Sequence, residues 1–494
     1  MCRVYHTPSH RSPIDEIIDV GCRVWRSRAC EFAERFSVSK NYASMGSIPN
    51  QTDEVERIDT DVFIAGSGPV GCTFARTILD NTKDHIRVCM VDVGAFESSV
   101  IGKHQKNDLS HVIDAALQKV SDSDLGTPYS PYYNKHRIEG LNLPNCAVTR
   151  TVGGMGTHWT CACPRPEPGE HKNSPIEKKE LEDLLKQAED LLKVKGDQYN
   201  SAIRHTTVLE CLGKHSEFAG RIRNLPLTVE RDDKNKDFPV VTFAGPNTIL
   251  GKWGEPGNYC TDIKCTSKCR FTLLSEHQVV RLDKFGMWNK IFVTAPEVRN
   301  LRGNRTGEPI YAYASQYVIA LGAIGTPQVL WNSGFGDRGI YSPEIPALGK
   351  YLSEQSLLTC QVILKKELRE RIDDKEKKLL PNAEPQVNVK YTDDKPWNGM
   401  INHDAYLYGN HKSSFKYDQR FVVDLRFYGK HRVNPSNRVK FSTDPNDVDL
   451  YGLPRPTFEV SRSEEDERDD HLMALDMEKA AYALGDYLPG SEPQ

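Results

Sequence analysis

The feature that most constrains this chain is the hexad Gly66-Ser-Gly68-Pro-Val-Gly71, set between the apolar run DVFIA and the amphipathic stretch CTFARTIL. Strand, glycine turn and helix in that order describe the first crossover of a parallel dinucleotide-binding sheet. Gly66 permits the tight turn, Gly68 lets the backbone approach a pyrophosphate, and Gly71 allows close packing of helix on strand. The helix start then offers free N–H groups and a positive dipole end to phosphate oxygens. By itself the hexad is no more than a glycine-rich turn. The next apolar run, RVCMV, leads into Asp92, 21 residues beyond Gly71. A carboxylate there accepts hydrogen bonds from a ribose diol, which favours FAD or NAD over NADP.

A second glycine cluster, GGMGTHWT at 153–160, leaves two readings open. It is either a buried turn whose His158 and Trp159 fill core, or a backbone lying along a flat ligand with an imidazole held beside it. In the second reading Gly153 and Gly154 remove Cβ atoms along the ligand, and Thr157 and Thr160 donate to its ring edges.

Composition narrows the function. The 494 residues exceed one ordinary core, and 38% hydrophobic with 27% charged residues describes a globular chain with a polar surface. A formal charge of -4 gives no polybasic footprint, so no nucleic-acid partner is expected. No apolar run reaches the roughly 18–20 residues that span a bilayer, and the N-terminus lacks a secretory h-region. No membrane partner is expected either. The odd count of 13 cysteines suggests mostly reduced thiols. Cys260, Cys265 and Cys269 form a C-x4-C-x3-C cluster without a fourth ligand at zinc-type spacing, so no metal is expected.

Along the chain, SPIEKKELEDLLKQAEDLLKVK is the clearest helix. Its expected cap is Ser174, with Pro175 at the first position and Glu177 completing a capping box. Strand, glycine turn and helix recur over 310–334, and strands return in RFVVDLRFYG and NRVKFSTD. The charged stretch 366–396 reads as a surface insertion.

The octad at 153–160, with Thr149, Arg150 and Val152 just upstream, resembles the flavin-linking motif in the sugar-oxidising branch of the glucose–methanol–choline (GMC) oxidoreductase family. GAIGTPQVLWNSG at 322–334 resembles that family's second signature, with Phe335 where an aliphatic residue is usual. HDAYLYG at 403–409 resembles its substrate loop, and Arg426 in VDLRFYG matches an arginine at the edge of the sugar site. The resemblance runs with gaps from about residue 59 to the last residue. It implies an α/β fold with a Rossmann-like FAD-binding domain and an α+β substrate-binding domain. The FAD-binding domain would take 59–98, 148–215 and 270–350, and the substrate domain 216–269 and 351–494. Residues 1–58 would be an N-terminal extension and 99–147 an arm. It further implies FAD joined covalently to His158 and bound by Gly66, Gly68, Gly71, Asp92, Thr149, Arg150, Gly153, Gly154, Thr157 and Thr160. Thr160 would face the reactive flavin nitrogen as a catalytic residue, and Asp404, Tyr406, Tyr408 and Arg426 would contact substrate.

The activity so implied is oxidation of an aldopyranose at C2, with dioxygen reduced to hydrogen peroxide by a homotetramer, intracellular or periplasmic in a fungus. The family's histidine base lies near the C-terminus, and nothing after Leu484 here is His or Asn. The expectation is a C-terminally truncated chain without its general base. His471, the last histidine, sits in an acidic helical run and does not match the base. Three alternatives stay open: a related GMC enzyme acting on another sugar or a glycoside, a degenerate flavin-binding homologue, and an NAD-dependent dehydrogenase using only the first turn.

Overall fold

The computed structural model describes residues 56–82, 86–107, 149–232, 240–287, 290–302, 309–336, 345–378, 380, 383–403 and 417–493. Most of the expected N-terminal extension and arm, and Asp404, Tyr406 and Tyr408, lie outside them. Residues 174–186 belong to a unit separate from the rest and stand by themselves. There the helix begins at Lys178 rather than at the expected cap. Ser174 Oγ instead accepts from Ile176 N–H (3.1 Å), a local turn that competes with capping. Pro175 and Glu177 precede the helix.

The hexad opens the sheet it predicts. Four parallel strands lie in the order Gln316–Ile319, Val62–Ala65, Val88–Val91, Phe271–Leu274. Their side chains alternate between two cores. Val62, Ile64, Val88, Met90, Phe271 and Leu273 meet Cys72, Ala75 and Leu79 of helix Pro69–Asn81. Phe63, Ala65, Cys89 and Val91 meet Val329 of helix Gly322–Asn332 and the long hairpin His277–Met287/Lys290–Asn300. Burial on both faces is what makes Val62–Ala65 and Val88–Val91, the two central strands, uniformly apolar.

A six-stranded antiparallel sheet forms the second core. Its order is Gly485–Tyr487, Ser356–Leu364, Val422–Gly429, Trp397–Asn402, Val387–Val389, Ile222–Asn224. One face, with Cys360, Val362, Val423, Leu425 and Phe427, packs on helices Ile203–Gly213 and Glu464–Leu484. The longer helix starts in a reciprocal cap between Ser463 and Asp466. Its buried Asp476 accepts from Arg221, Lys395 and Trp397 at 2.8–2.9 Å, tying the helix to the sheet. His471 is exposed on this helix.

The stretch 366–396 is not a surface insertion. Ile372 of helix Lys366–Lys375 is fully buried in the second core, and Val387–Val389 is an internal strand. Its charge misled because part of it is neutralised inside: Glu376 pairs with Arg204, both buried. A three-residue strand is also too short to show a period. Among the described cysteines, Cys260 and Cys269 form a disulfide and seven are free thiols, in keeping with the expectation of mostly reduced thiols. Among the described residues no helix is long and apolar enough to cross a membrane.

Candidate active site

Gly66 and Gly71 are glycine for reasons internal to the protein. A Cβ on Gly66, at φ 97°, would lie 2.4 Å from Ala320 O, and one on Gly71 would lie 1.9 Å from Gly66 O. Gly68 differs: a Cβ there would meet no protein atom within 4 Å. Protein packing does not require glycine at this position, whereas close approach by a ligand does.

Ser67, the unspecified residue of the hexad, joins the site together. Its N–H and hydroxyl both donate to Asp92 Oδ2 (2.8 and 2.6 Å), and its oxygen accepts from Gly153 N–H (2.8 Å). The turn, the second strand's end and the octad are therefore one hydrogen-bonded unit. Asp92 also accepts from Gly94 N–H (2.8 Å) and is 8% exposed. Burial pushes its carboxyl above the usual range, against the pull of these donors and of Arg150. One acceptor position on Oδ1 remains for a ribose hydroxyl.

The octad is folded tightly. Gly153 and Gly154 adopt φ of 102° and 55°, and residues 154–157 make a single 3-10 turn. A Cβ on Gly153 would strike Gly102 and Thr157, while one on Gly154 would approach only Gly68 Cα, at 3.5 Å. The two glycines without internal clashes, Gly68 and Gly154, thus stand beside each other.

Thr157 donates to Gly154 O (2.9 Å), so its oxygen is left to accept from His158 Nδ1 (3.2 Å). That bond selects the tautomer protonated at Nδ1 and leaves a lone pair on Nε2, where Thr149 Oγ1 stands at 3.1 Å. Half-burial lowers the pKa of His158, opposed by Glu97, so its ring is neutral at neutral pH. A neutral imidazole with its lone pair on Nε2 is a nucleophile once the Thr149 hydroxyl, which also reaches Met155 Sδ (3.0 Å), turns away from it. Thr160 is half-buried two residues on. Arg150 lays its guanidinium over the Tyr451 ring (3.4 Å), and its Nε is buried without a hydrogen-bond partner.

His104 was missed by sequence reasoning and is fully buried. It donates from Nε2 to Trp159 O (2.9 Å) and accepts Lys106 N–H at Nδ1 (3.1 Å). Burial is the main cause that lowers its pKa to about 4, so it stays neutral and anchors the octad. Trp159 Nε1–H donates to Ala244 O (2.8 Å).

The other wall comes from the six-stranded sheet. Arg426 points away from the helices, as alternation with Leu425 and Phe427 requires. Cross-strand register sets Thr359, Arg426 and Met400 in one row, and Gln361, Asp424 and Asn402 in the next. Arg426, Asp424 and Asn402 are all buried; Gln361 donates to Asp424 (2.7 Å), and Asn402 Oδ1 has no partner. Met400, on this face, packs in the same cluster as Trp159 of the octad. A polar sheet face and a dinucleotide cradle therefore meet at Trp159. A surface groove of about 540 Å³ is lined by Phe96, Glu97, Ser98, Ser99, Tyr259 and Thr261, and its Glu97 acts on the charge of His158.

Comparison with known proteins sets these features in context. No family model matches the chain. It is 38% identical over 507 aligned residues to a pyranose 2-oxidase of Tricholoma matsutake, covering 91% of this chain and 84% of the relative. It is 29% identical to a C-glycoside 3-oxidase of Microbacterium trichothecenolyticum, covering 87% and 82%. Among solved structures, pyridoxine 4-oxidase from Mesorbium loti matches with a TM-score of 0.54 at 15% identity, covering 87% of this chain and 83% of that one.

Proposed function

The chain belongs to the pyranose 2-oxidase family and has the GMC oxidoreductase fold, and on that premise we propose that it binds FAD covalently through His158 and oxidises an aldopyranose at C2. One aldopyranose and one dioxygen give one 2-keto sugar and one hydrogen peroxide. The observation that carries this reading is Ser67, whose hydroxyl joins the dinucleotide turn, Asp92 and the octad into one cradle.

FAD supplies, when bound, a hydride acceptor that returns its electrons to dioxygen. Gly68 and the first turn of helix Pro69–Asn81 would take the pyrophosphate, with Asp92 on the ribose and the buried Nε of Arg150 offering a further donor. Glycines 153 and 154 would let the backbone run along the cofactor, and His158 Nε2 would be its point of attachment. Thr160 donates beside the reacting centre, and Asn402, Asp424 and Arg426 orient sugar hydroxyls from the facing sheet. Asp404, Tyr406 and Tyr408, which follow Asn402 closely in sequence, would contact the sugar. No residue of the chain is assigned as the base that accepts the hydroxyl proton. Homotetrameric assembly is part of the same reading, and light scattering tests it. A glycoside is the second candidate substrate, favoured by the likeness to a C-glycoside 3-oxidase over most of both chains.

The tether is tested by acid precipitation and peptide mapping. The flavin should stay in the pellet, and its mass should map to the peptide containing His158. In His158→Ala, the flavin should move entirely to the supernatant while the protein remains folded. Release of all flavin from the unsubstituted, fully loaded protein would remove the tether.

A further inference from the structure

Cys260, Cys265 and Cys269 take no part in the site just described, yet their sulfurs lie within 4.8 Å of one another. The backbone of one short loop brings them together. Cys260 extends the outer edge of strand Phe271–Leu274, donating to Phe271 O (3.0 Å) and accepting from Leu273 N–H (2.9 Å). Asp262 then caps the turn Ile263–Cys265, and Cys269 N–H donates back to Cys265 O (2.8 Å). The C-x4-C-x3-C spacing argued against a site because it lacks a paired C-x2-C. The loop supplies the geometry that the spacing does not.

We propose that these three cysteines form a redox-gated site for a soft divalent cation of the zinc class: three thiolates hold the ion when reduced, and the Cys260–Cys269 disulfide closes the site when oxidised. Three sulfurs each at about 2.3 Å from zinc stand about 3.8 Å apart in a tetrahedron, a spacing that requires the bonded Cys260 and Cys269 sulfurs to separate on reduction. No fourth ligand joins them among the described residues, which leaves one coordination position to solvent. All three are half-buried, and Tyr259 and Thr261 on either side of Cys260 line the open groove, so an ion and an oxidant can reach them. Elsewhere in the protein, Cys161 and Cys360 are buried and Cys163 is half-buried. Burial pushes the thiols of Cys161 to about 11 and of Cys163 and Cys360 to about 12, which keeps them protonated and poor ligands.

The chemistry balances. Three thiols bind one zinc ion with loss of three protons. Hydrogen peroxide then takes two electrons from the Cys260 and Cys269 sulfurs, joining them and releasing the zinc ion. With three protons taken up, the products are one disulfide, one thiol at Cys265 and two waters.

The test uses the full chain, reduced, desalted under argon and loaded with zinc ion alone, in competition with a chromophoric chelator. The reduced protein should retain one zinc per chain. Peroxide should release it while lowering the intact mass by the two hydrogens lost in making the disulfide. Cys265→Ser should lose the zinc yet still form the Cys260–Cys269 bond, and Cys269→Ser should lose both. No stoichiometric zinc on the reduced protein overturns the proposal, as does equal retention by Cys265→Ser.

Discussion

In the parallel sheet the site is built of backbone. Gly66 and Gly71 are fixed by oxygen atoms 2.4 and 1.9 Å from where a Cβ would sit, and the proposed cofactor surface is bare Cα atoms at Gly68 and Gly154. In the six-stranded sheet the site is built of side chains: Arg426, Asp424 and Asn402 stand on alternate positions of paired strands, over a core of Val423, Leu425 and Phe427. The backbone wall suits a cofactor whose shape does not vary. The side-chain wall can be altered residue by residue without disturbing the strands beneath it, which suits a choice among sugars.

The largest effect should come from forcing a side chain into the backbone wall. Gly71→Val places a Cβ against a main-chain oxygen that cannot move aside, and should cost more than about 3 kcal/mol. Gly68→Val should keep the melting temperature of the flavin-free protein but lose bound flavin, because only ligand space is filled. Differential scanning fluorimetry beside flavin absorbance separates the two. If the Gly68 variant binds FAD stoichiometrically, its glycine is not there for a ligand.

His104 is the next lever on that wall. Its folded pKa, about 4, lies below the unfolded value of about 6.5, so between them the unfolded chain binds more protons. Its contribution is therefore complete above about pH 6.5 and is lost as pH falls toward 4, by about 3 kcal/mol at the lower end. His104→Gln, which keeps a donor for Trp159 O, should flatten the slope of the urea midpoint over this window. An unchanged slope would mean another group carries the acid sensitivity.

The smallest effect should fall on the side-chain wall. Asn402→Ala removes a polar group whose Oδ1 has no protein partner, so the fold loses little. One lost substrate hydrogen bond of about 1.4 kcal/mol lowers kcat/KM about tenfold. Flavin absorbance should stay the same. A variant with unaltered sugar kinetics would make this row structural and weaken the contrast between the two walls.

The backbone wall was legible because glycine demands are local: hexad, octad and Asp92 each announce themselves within a few residues. Even there, Ser67 stood at a position the motif leaves open, and His104 sat in the polar stretch IGKHQKN with no pattern around it. The side-chain wall left a fainter trace. Thr359 and Gln361 in LLTCQVIL, and Asn398 and Asn402 in WNGMIN, fall on alternate positions and mark a partly polar strand face, but only Arg426 was picked out. The same locality explains the misreading of 366–396, whose charged residues are satisfied by partners such as Arg204, more than 150 positions away.

By itself, then, the sequence determined the turn chemistry: where the chain turns tightly on glycine and where Cβ atoms are absent. Those properties depend on a residue and its immediate neighbours. The tertiary structure alone decided what Ser67, Asn402 and the three clustered cysteines do. Strand register and loop closure bring distant groups within bonding distance, and no short stretch of chain carries that information.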